Sequence, residues 1–543
     1  MLDQTPTTTE PERWFALIGI DFYIPGTKRI DKQGDPLNFP NLRGCVNDVR
    51  EMRQYIETQL NIDPSRILEL TSTESSDGKG VPREEESSWP TRDNIIKLFE
   101  KLISDATAGD LVFIQYSGHG TRVKTSYSNL KGEAGFDEAI VPLDIQRNGQ
   151  YLLDIELAVL LDRMVQKGLI VTIVLDCCHS GGATRDGDGT AVCRGISGID
   201  SSGSLDEGRK IIQVSDNQQD LQGFLRKSYR KVDRQLWWEP RGYEMLAACR
   251  LNEKANEDYF EGHDHYHGAL AYNLLLSLKS GGPGLTHGMV YQRLSVKVNH
   301  DFPNQTPVFA GNRERYFFQS SDKIANAHSF AITRVKGRKI TFGAGKAHGI
   351  MVGSEFAIYP WNAANFNDSS QCKTAKVTQV DQVESIALLD PSETSTREIE
   401  LGSQVVPVKS LVQKLRLKFF PSPSGSTEIP QFQQLRDEIN RNAQDSPVEL
   451  IFTSDSAAQY HIGVGDGGGM KLLDTANKPV ANFPQSSDPK LFLSKLGHLA
   501  RYDMFREVKN LTHTSLEGKF DFELLLGGSR MDSMDKFYNF DLS

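Results

Sequence analysis

At 543 residues the chain is too long for a single hydrophobic core, and about two to four domains are expected. Its 38% hydrophobic and 24% charged residues are those of a globular protein. A net charge of -10 argues against a broad nucleic-acid-binding surface, which would show as a basic stripe. The scattered cysteines Cys45, Cys177, Cys178, Cys193, Cys249 and Cys372 form neither a disulfide framework nor paired zinc arms, which fits a reducing, cytoplasmic compartment. The first twelve residues are polar and acidic, without the apolar core of a signal peptide. The most apolar stretch, Leu169 to Leu175, is far short of the roughly 20 residues that span a bilayer, so no membrane partner is expected.

Taken in order, Trp14 to Ile20 reads as a buried strand, and Val46, Val49, Tyr55, Ile56 and Leu60 recur at helical spacing. A polar loop over 71–90 leads to Thr91, a candidate N-cap of a helix ending near Leu102. Leu111 to Tyr116 and Leu169 to Asp176 are strong apolar strands on either side of a helix over Leu153 to Met164. Residues 181–240, rich in Gly, Ser, Asp and basic residues, lose periodicity and read as a mobile loop. A strand over Tyr243 to Ala248 and a helix over Gly268 to Lys279 follow. This alternation predicts an α/β domain over 12–325, a mostly parallel sheet with helices on both faces. Short β-rich runs separated by Gly, Asn and Asp turns predict a small antiparallel β domain over 328–407. A Pro/Ser-rich joint over 421–430 precedes an α/β accessory domain over 431–543, with a second helix near 489–501.

Two segments carry chemistry. Tyr116-Ser117-Gly118-His119-Gly120 closes one predicted strand, and Asp176-Cys177-Cys178-His179-Ser180-Gly181 closes another. Sites in open parallel sheets assemble at the carboxyl ends of strands, and one crossover between the two segments could bring His119 and Cys178 to the same edge. A free thiol has a pKa near 8.5 and needs a base to become a nucleophile; an imidazole supplies that and can later protonate a leaving amine. The N–H groups of Gly120 and Cys178 could stabilise a developing oxyanion.

Together these motifs resemble the metacaspases and their bacterial relatives. The resemblance extends upstream to Leu42-Arg43-Gly44-Cys45-Val46-Asn47-Asp48 and downstream through FDEAIVPLD (136–144), YEMLAACR (243–250), GALAYNLL (268–275) and QTPVFAG (305–311). It implies a caspase-like fold, with His119 as general acid/base and Cys178 as nucleophile. Cys178 is preferred to Cys177 because it directly precedes His-Ser-Gly, leaving Cys177 to point into the core. Asp176 stands where animal caspases carry Gln, and the resemblance makes Asp48 the second acidic wall of the first specificity pocket. Two carboxylates there favour Arg or Lys over Asp; the plainer alternative is that Asp48 caps its helix.

A basic-specific peptidase could cut itself in the 181–240 loop, at Arg185, Arg194, Arg209, Lys210, Arg226, Lys227, Arg230, Lys231 or Arg234, unless those charges only solvate a linker. No cofactor is required by this chemistry. The resemblance implies a calcium site, but only Asp137 and Asp154 match its pattern; Ile155 and Arg185 stand where further acids belong, with Asp186 adjacent. His263, His265 and His267 have spacing that could hold a metal, although their segment reads as an exposed loop. The Asp186 to Gly189 run lacks the rest of a calcium-loop pattern. Trp237 and Trp238 either pack the loop's return or line a subsite. The resulting expectation is a cysteine endopeptidase acting on proteins or peptides, with residues beyond 328 binding a regulatory partner. The alternative is a catalytically silent caspase-like scaffold.

Overall fold

An unbroken apolar run such as Phe15 to Ile20 is stable as a strand only if both of its faces are covered. In the computed structural model both are. Residues 11–125, 135–178, 192–200, 229–321, 329–391, 398–409, 415–419, 430–441, 448–450 and 460–483 are described, with short gaps inside these ranges, together with a few residues beyond. They divide into two compact units.

The first unit comprises residues up to 327 with 360–370 and 400–403. It begins with β1 (Arg13–Ile20), α1 (Cys45–Gln59), β2 (Ile67–Ser72), α2 (Arg92–Asp105) and β3 (Leu111–Ser117). Next come β4 (Gly120–Lys124), β5 (Phe136–Ile140), β6 (Leu152–Leu153), α3 (Asp154–Gln166) and β7 (Ile170–Asp176). Four short strands follow: β8 (Val192–Cys193), β9 (Gly195–Asp200), β10 (Tyr229–Val232) and β11 (Gln235–Trp238). The unit continues through β12 (Tyr243–Ala247), β13 (Asn256–Tyr259), β14 (Tyr266–Gly268), α4 (Ala269–Gly281), α5 (His287–Asp301) and β15 (Val308–Ala310).

The main sheet has the order β15-β12-β7-β3-β1-β2. All of its pairs are parallel except β12 with β15. Alternate residues of β1 point to opposite faces. Ala16, Ile18 and Ile20 join Ile95, Phe99 and Leu102 of α2 and Leu157, Leu160 and Leu161 of α3. Phe15 and Leu17 join Val49 and Met52 of α1, Leu270 and Leu274 of α4, and Val290 and Leu294 of α5. Each such side chain removed from water contributes roughly 1.5–3 kcal/mol. Thr91 caps α2 as its sequence context predicts: its hydroxyl accepts from the Asn94 N–H at 3.2 Å. Two small sheets lie at the strand ends, β6-β5-β4-β9 and β14-β13-β8.

Two differences from expectation stand out. The sequence predicts no regular element within 181–240, yet β8 to β11 fall there. β8 and β9 are held by pairing with distant strands, so their own periodicity carries no signal. Helix α5 is likewise not anticipated from the sequence. The helix expected near 489–501 falls almost wholly outside the described residues.

The second unit comprises residues 328–359, 371–399 and 404–543. It contains a closed antiparallel barrel of β16 (Phe330–Lys336), β17 (Lys339–Phe342), β18 (Glu355–Tyr359), β19 (Lys373–Val380), β20 (Ser385–Leu389) and β21 (Gln404–Lys409). Ile332, Phe342, Phe356, Ile358, Val377 and Val405 fill its interior. A mixed five-stranded sheet follows, of β22 (Leu415–Phe419), β23 (Val448–Leu450), β24 (Tyr460–Val464), β25 (Met470–Leu473) and β26 (Pro479–Phe483), with helix α6 (Pro430–Arg441). Among the described residues no helix is long and apolar enough to cross a membrane.

Candidate active site

His119 sits in the tight turn between β3 and β4, wholly buried. Its N–H donates to the Tyr23 hydroxyl at 2.7 Å, and the two rings lie 4.9 Å apart. Its Nε2 lies 2.8 Å from the Pro40 carbonyl oxygen. A carbonyl can only accept, so Nε2 is assigned the proton and Nδ1 of the neutral ring keeps a free lone pair. Among the described residues Nδ1 has no hydrogen-bond partner. Burial lowers the imidazole pKa to about 4, against the pull of the Pro40 carbonyl and the neighbouring Cys178. The ring is therefore neutral near pH 7 and able to take a proton.

Cys178 follows the end of β7. The pairing of Ser117 with Asp176 sets the ends of β3 and β7 side by side, which carries the two motifs to one sheet edge. Cys177 and Cys178 pack into different apolar clusters, on opposite faces of the sheet. Burial raises the Cys177 thiol well above its ordinary range, so that residue makes a poor nucleophile.

The site is filled by the chain itself. β8 pairs antiparallel with β13, Cys193 opposite Asn256 and Val192 opposite Glu257. The Arg194 N–H donates to the Ala255 carbonyl at 2.8 Å, continuing that ladder. The Arg194 carbonyl oxygen accepts from the N–H groups of Gly120 at 3.2 Å and Cys178 at 3.1 Å. These are the two donors that the sequence nominates for an oxyanion. The Cys178 and Cys193 sulfurs lie 3.5 Å apart.

The Arg194 side chain is completely buried among three carboxylates. Nη2 lies 2.8 Å from Asp48, Nη1 lies 3.0 Å from Asp176, and Nε–H donates to Glu257 at 3.2 Å. Burying a guanidinium costs several kcal/mol and is tolerated only with charged partners at this range. The acids are themselves anchored. Asp48 accepts from the Gly268 N–H at 3.2 Å and lies 3.0 Å from His267 Nδ1. Asp176 accepts from the Ala271 N–H at 2.9 Å. Glu257 accepts from the N–H groups of Arg43 at 2.9 Å and Gly44 at 3.2 Å. Residue 268 must be glycine here, because a Cβ would lie 2.1 Å from an Asp176 oxygen and 2.2 Å from Arg194 Nη1. Asp48 lies in the first turn of α1 but makes no side-chain cap there, so its structural partners are those of the pocket. Sequence reasoning misses Glu257, the Pro40 carbonyl and Tyr23.

Burial raises Asp176 to about 7, against the lowering effect of Arg194 and with the raising effect of Asp48. Burial, with Glu257, also raises the neighbouring Asp21 to about 7. A cation in the pocket pulls Asp176 down, so the empty pocket holds its protons more tightly. Filling it with arginine then expels protons, and low pH opposes binding. The KM for arginine peptides is expected to rise as pH falls towards 7 and to level off below it, the rise being at most about tenfold per pH unit for each group that titrates. A KM that stays flat from pH 8 to 5.5 would rule this out.

Other candidates are placed differently. Asp137 on β5 is buried, and its carboxylate accepts from the Thr125 hydroxyl at 2.9 Å. Asp154 opens α3 and accepts from the Ile155 N–H at 2.9 Å. Among the described residues no three His, Cys, Asp or Glu side chains gather as a metal-holding group. Asp186 lies outside the described residues. So do His263, Arg185, Arg209, Lys210, Arg226, Lys227 and Arg234, while Arg230 and Lys231 lie on β10 and Trp237 and Trp238 on β11. His265 is exposed, but His267, expected in an exposed loop, is buried on β14 against Asp48. The need to orient a pocket acid outweighs the polar look of its segment.

Residues 16–185 match the family model described as "Metacaspase, peptidase C14 domain". Metacaspase-4 of Arabidopsis thaliana is 36% identical over 167 residues, which are 31% of this chain and 33% of that protein. Metacaspase-1 of Schizosaccharomyces pombe is 33% identical over 180 residues, 33% of this chain and 36% of that protein. The chain thus spans about a third of the length of the curated relatives it matches. The crystal structure of a Geobacter sulfurreducens protein aligns over 56% of this chain and 94% of its own, at 19% identity and a TM-score of 0.33. Residues 16–185 are a segment of the caspase/metacaspase kind.

Proposed function

We propose that this metacaspase-like domain is a cysteine endopeptidase that cleaves proteins or peptides after basic residues, and that the Arg194–Gly195 bond of its own chain is its first substrate. One observation carries the reading: the Arg194 carbonyl accepts from both candidate oxyanion donors while its guanidinium sits among Asp48, Asp176 and Glu257.

In this mechanism His119 Nδ1 takes the Cys178 thiol proton, and the thiolate attacks the Arg194 carbonyl carbon. Negative charge collects on the carbonyl oxygen, held by the N–H groups of Gly120 and Cys178. The C–N bond to Gly195 breaks, and His119 returns its proton to the departing amine. Water, deprotonated by His119, then attacks the thioester. That step frees the Arg194 carboxylate and restores the thiol. The Pro40 carbonyl holds the ring through Nε2 at every stage.

The test uses matched fluorogenic peptides ending in Arg, Lys or Asp, with calcium or with chelator, on wild type and Cys178→Ala. Turnover of Arg or Lys peptides is expected to vanish in the mutant. Wild-type protein is expected to yield a fragment whose amino terminus is Gly195, detectable by mass spectrometry. Cleavage after Asp would overturn the pocket assignment. Absence of turnover under every condition would favour the silent scaffold. Loss of activity with chelator would point to a calcium site that the described residues do not form.

A further inference from the structure

We propose that the cleft continues beyond the cleaved bond as a strand-shaped binding site that selects an acidic side chain at the sixth residue after the cut. This rests on the reading that Arg194 occupies the substrate position. Gly195 is then the first residue after the bond and Asp200 the sixth.

Residues 195–200 form β9, paired parallel to β4, with Gly195 opposite Gly120 and, after a shift of register, Ile199 opposite Arg122 and Asp200 opposite Val123. In the sheet order β6-β5-β4-β9, β9 is the edge. Without it β4 would present a free row of N–H and C=O groups, the usual acceptor for an added peptide strand. Three positions along β9 are read by side chains. Ile196 is wholly buried in the apolar core. Gly198 has φ +91, and a Cβ there would lie 2.9 Å from Leu37 Cδ2, so the fourth position accepts glycine. Asp200 is wholly buried, with Arg29 Nη1 at 3.1 Å and the Tyr151 hydroxyl donating at 2.8 Å.

The receptor for that carboxylate is built from residues outside β9. Arg29 donates through Nε to the Ile145 carbonyl at 3.1 Å and through Nη2 to the Gly149 carbonyl at 2.6 Å. Its guanidinium also stacks 4.9 Å over the Tyr151 ring. One guanidinium nitrogen is thus left to meet the carboxylate, with the fork already fixed in place, and a fixed fork loses little freedom on binding. Asp200 lies opposite Val123, three residues along β4 from Gly120 and so about 10 Å from it, which leaves this contact remote from the reacting atoms and able only to position the substrate.

The experiment uses internally quenched peptides with arginine before the bond and Gly-Ile-Ser-Gly-Ile followed by Asp, Asn or Lys after it. They are digested by the full-length enzyme after self-cleavage. In wild type the kcat/KM ratio of the Asp to the Asn peptide is expected to be about tenfold, with Lys poorer still. In Arg29→Ala that ratio is expected to fall to about one, and in Tyr151→Phe to an intermediate value. Equal rates on the three peptides in wild type would overturn the proposal. A ratio that survives in Arg29→Ala would overturn its assignment to Arg29. Short fluorogenic arginine peptides, which carry nothing beyond the bond, separate the two levels. If wild type cuts them without discriminating among the longer peptides, only this inference fails. If it cuts neither kind, the peptidase reading fails.

Discussion

Arg194→Ala is expected to leave the chain uncut at position 194 and yet able to hydrolyse short arginine peptides without a lag. Three buried carboxylates, Asp48, Asp176 and Glu257, would lose the Arg194 guanidinium that links them in the uncut chain. Removing one partner of a buried ion cluster costs about 3–5 kcal/mol. That cluster is one of the anchors that seat residues 192–200 in the cleft, beside the short ladders, the backbone contacts of residue 194, the buried Ile196 side chain and the Asp200 contact. A lower unfolding temperature for the uncut protein should accompany the change. Electrophoresis and the progress curve of peptide hydrolysis read the two effects separately. If Arg194→Ala is still cut between residues 194 and 195, the pocket does not choose the bond. If it stays silent until cut elsewhere, some other segment closes the site.

Glu257→Gln is expected to collapse the preference for arginine over lysine. Glu257 meets Nε of Arg194, a donor partway along the side chain that lysine lacks. Asp48 and Asp176 meet the terminal nitrogens, and a lysine ammonium could also approach those acids. A charge-assisted hydrogen bond is worth about 1.5–3 kcal/mol, so kcat/KM for arginine peptides should drop roughly 10- to 100-fold while lysine peptides change little. The Glu257 anchors, the N–H groups of Arg43 and Gly44, can still be met in part by the glutamine carbonyl oxygen. Equal losses on both peptides would mean that Glu257 sets only the total charge of the pocket.

What could be read from the sequence follows from how each feature is encoded. Strands β1, β3 and β7 are covered on both faces, so their apolar runs stand out without any partner in view. His119 and Cys178 announce themselves through the glycines and strand ends around them. Arg194 did not stand out, because it is one basic residue among many in its stretch and the fold alone selects it. Glu257 sits on a four-residue strand with no periodicity, 79 residues beyond Cys178 in the chain. The Pro40 contribution is a backbone carbonyl, which no side-chain letter reports. Strands β8 and β9 look like linker because nothing in their own letters orders them. Their order comes from β13 and β4, which lie far from them in sequence. The histidine-rich segment misled for the opposite reason, since His267 turns inward to serve Asp48.

The arrangement of residues 192–200 also bears on which proteins could be cut. This run is antiparallel to β13 before the bond and parallel to β4 after it. A guest must take that strand-paired form over nine residues, which a helix cannot do. A folded partner would have to melt a segment of that length locally before it could enter. The free energy of that opening would multiply directly into the apparent specificity. Two proteins with identical residues around a basic site would then differ in cleavage rate by the Boltzmann factor of their local stability. Tails and interdomain linkers would be cut first, and a ligand that stiffens a linker would protect it as effectively as a substitution at the arginine.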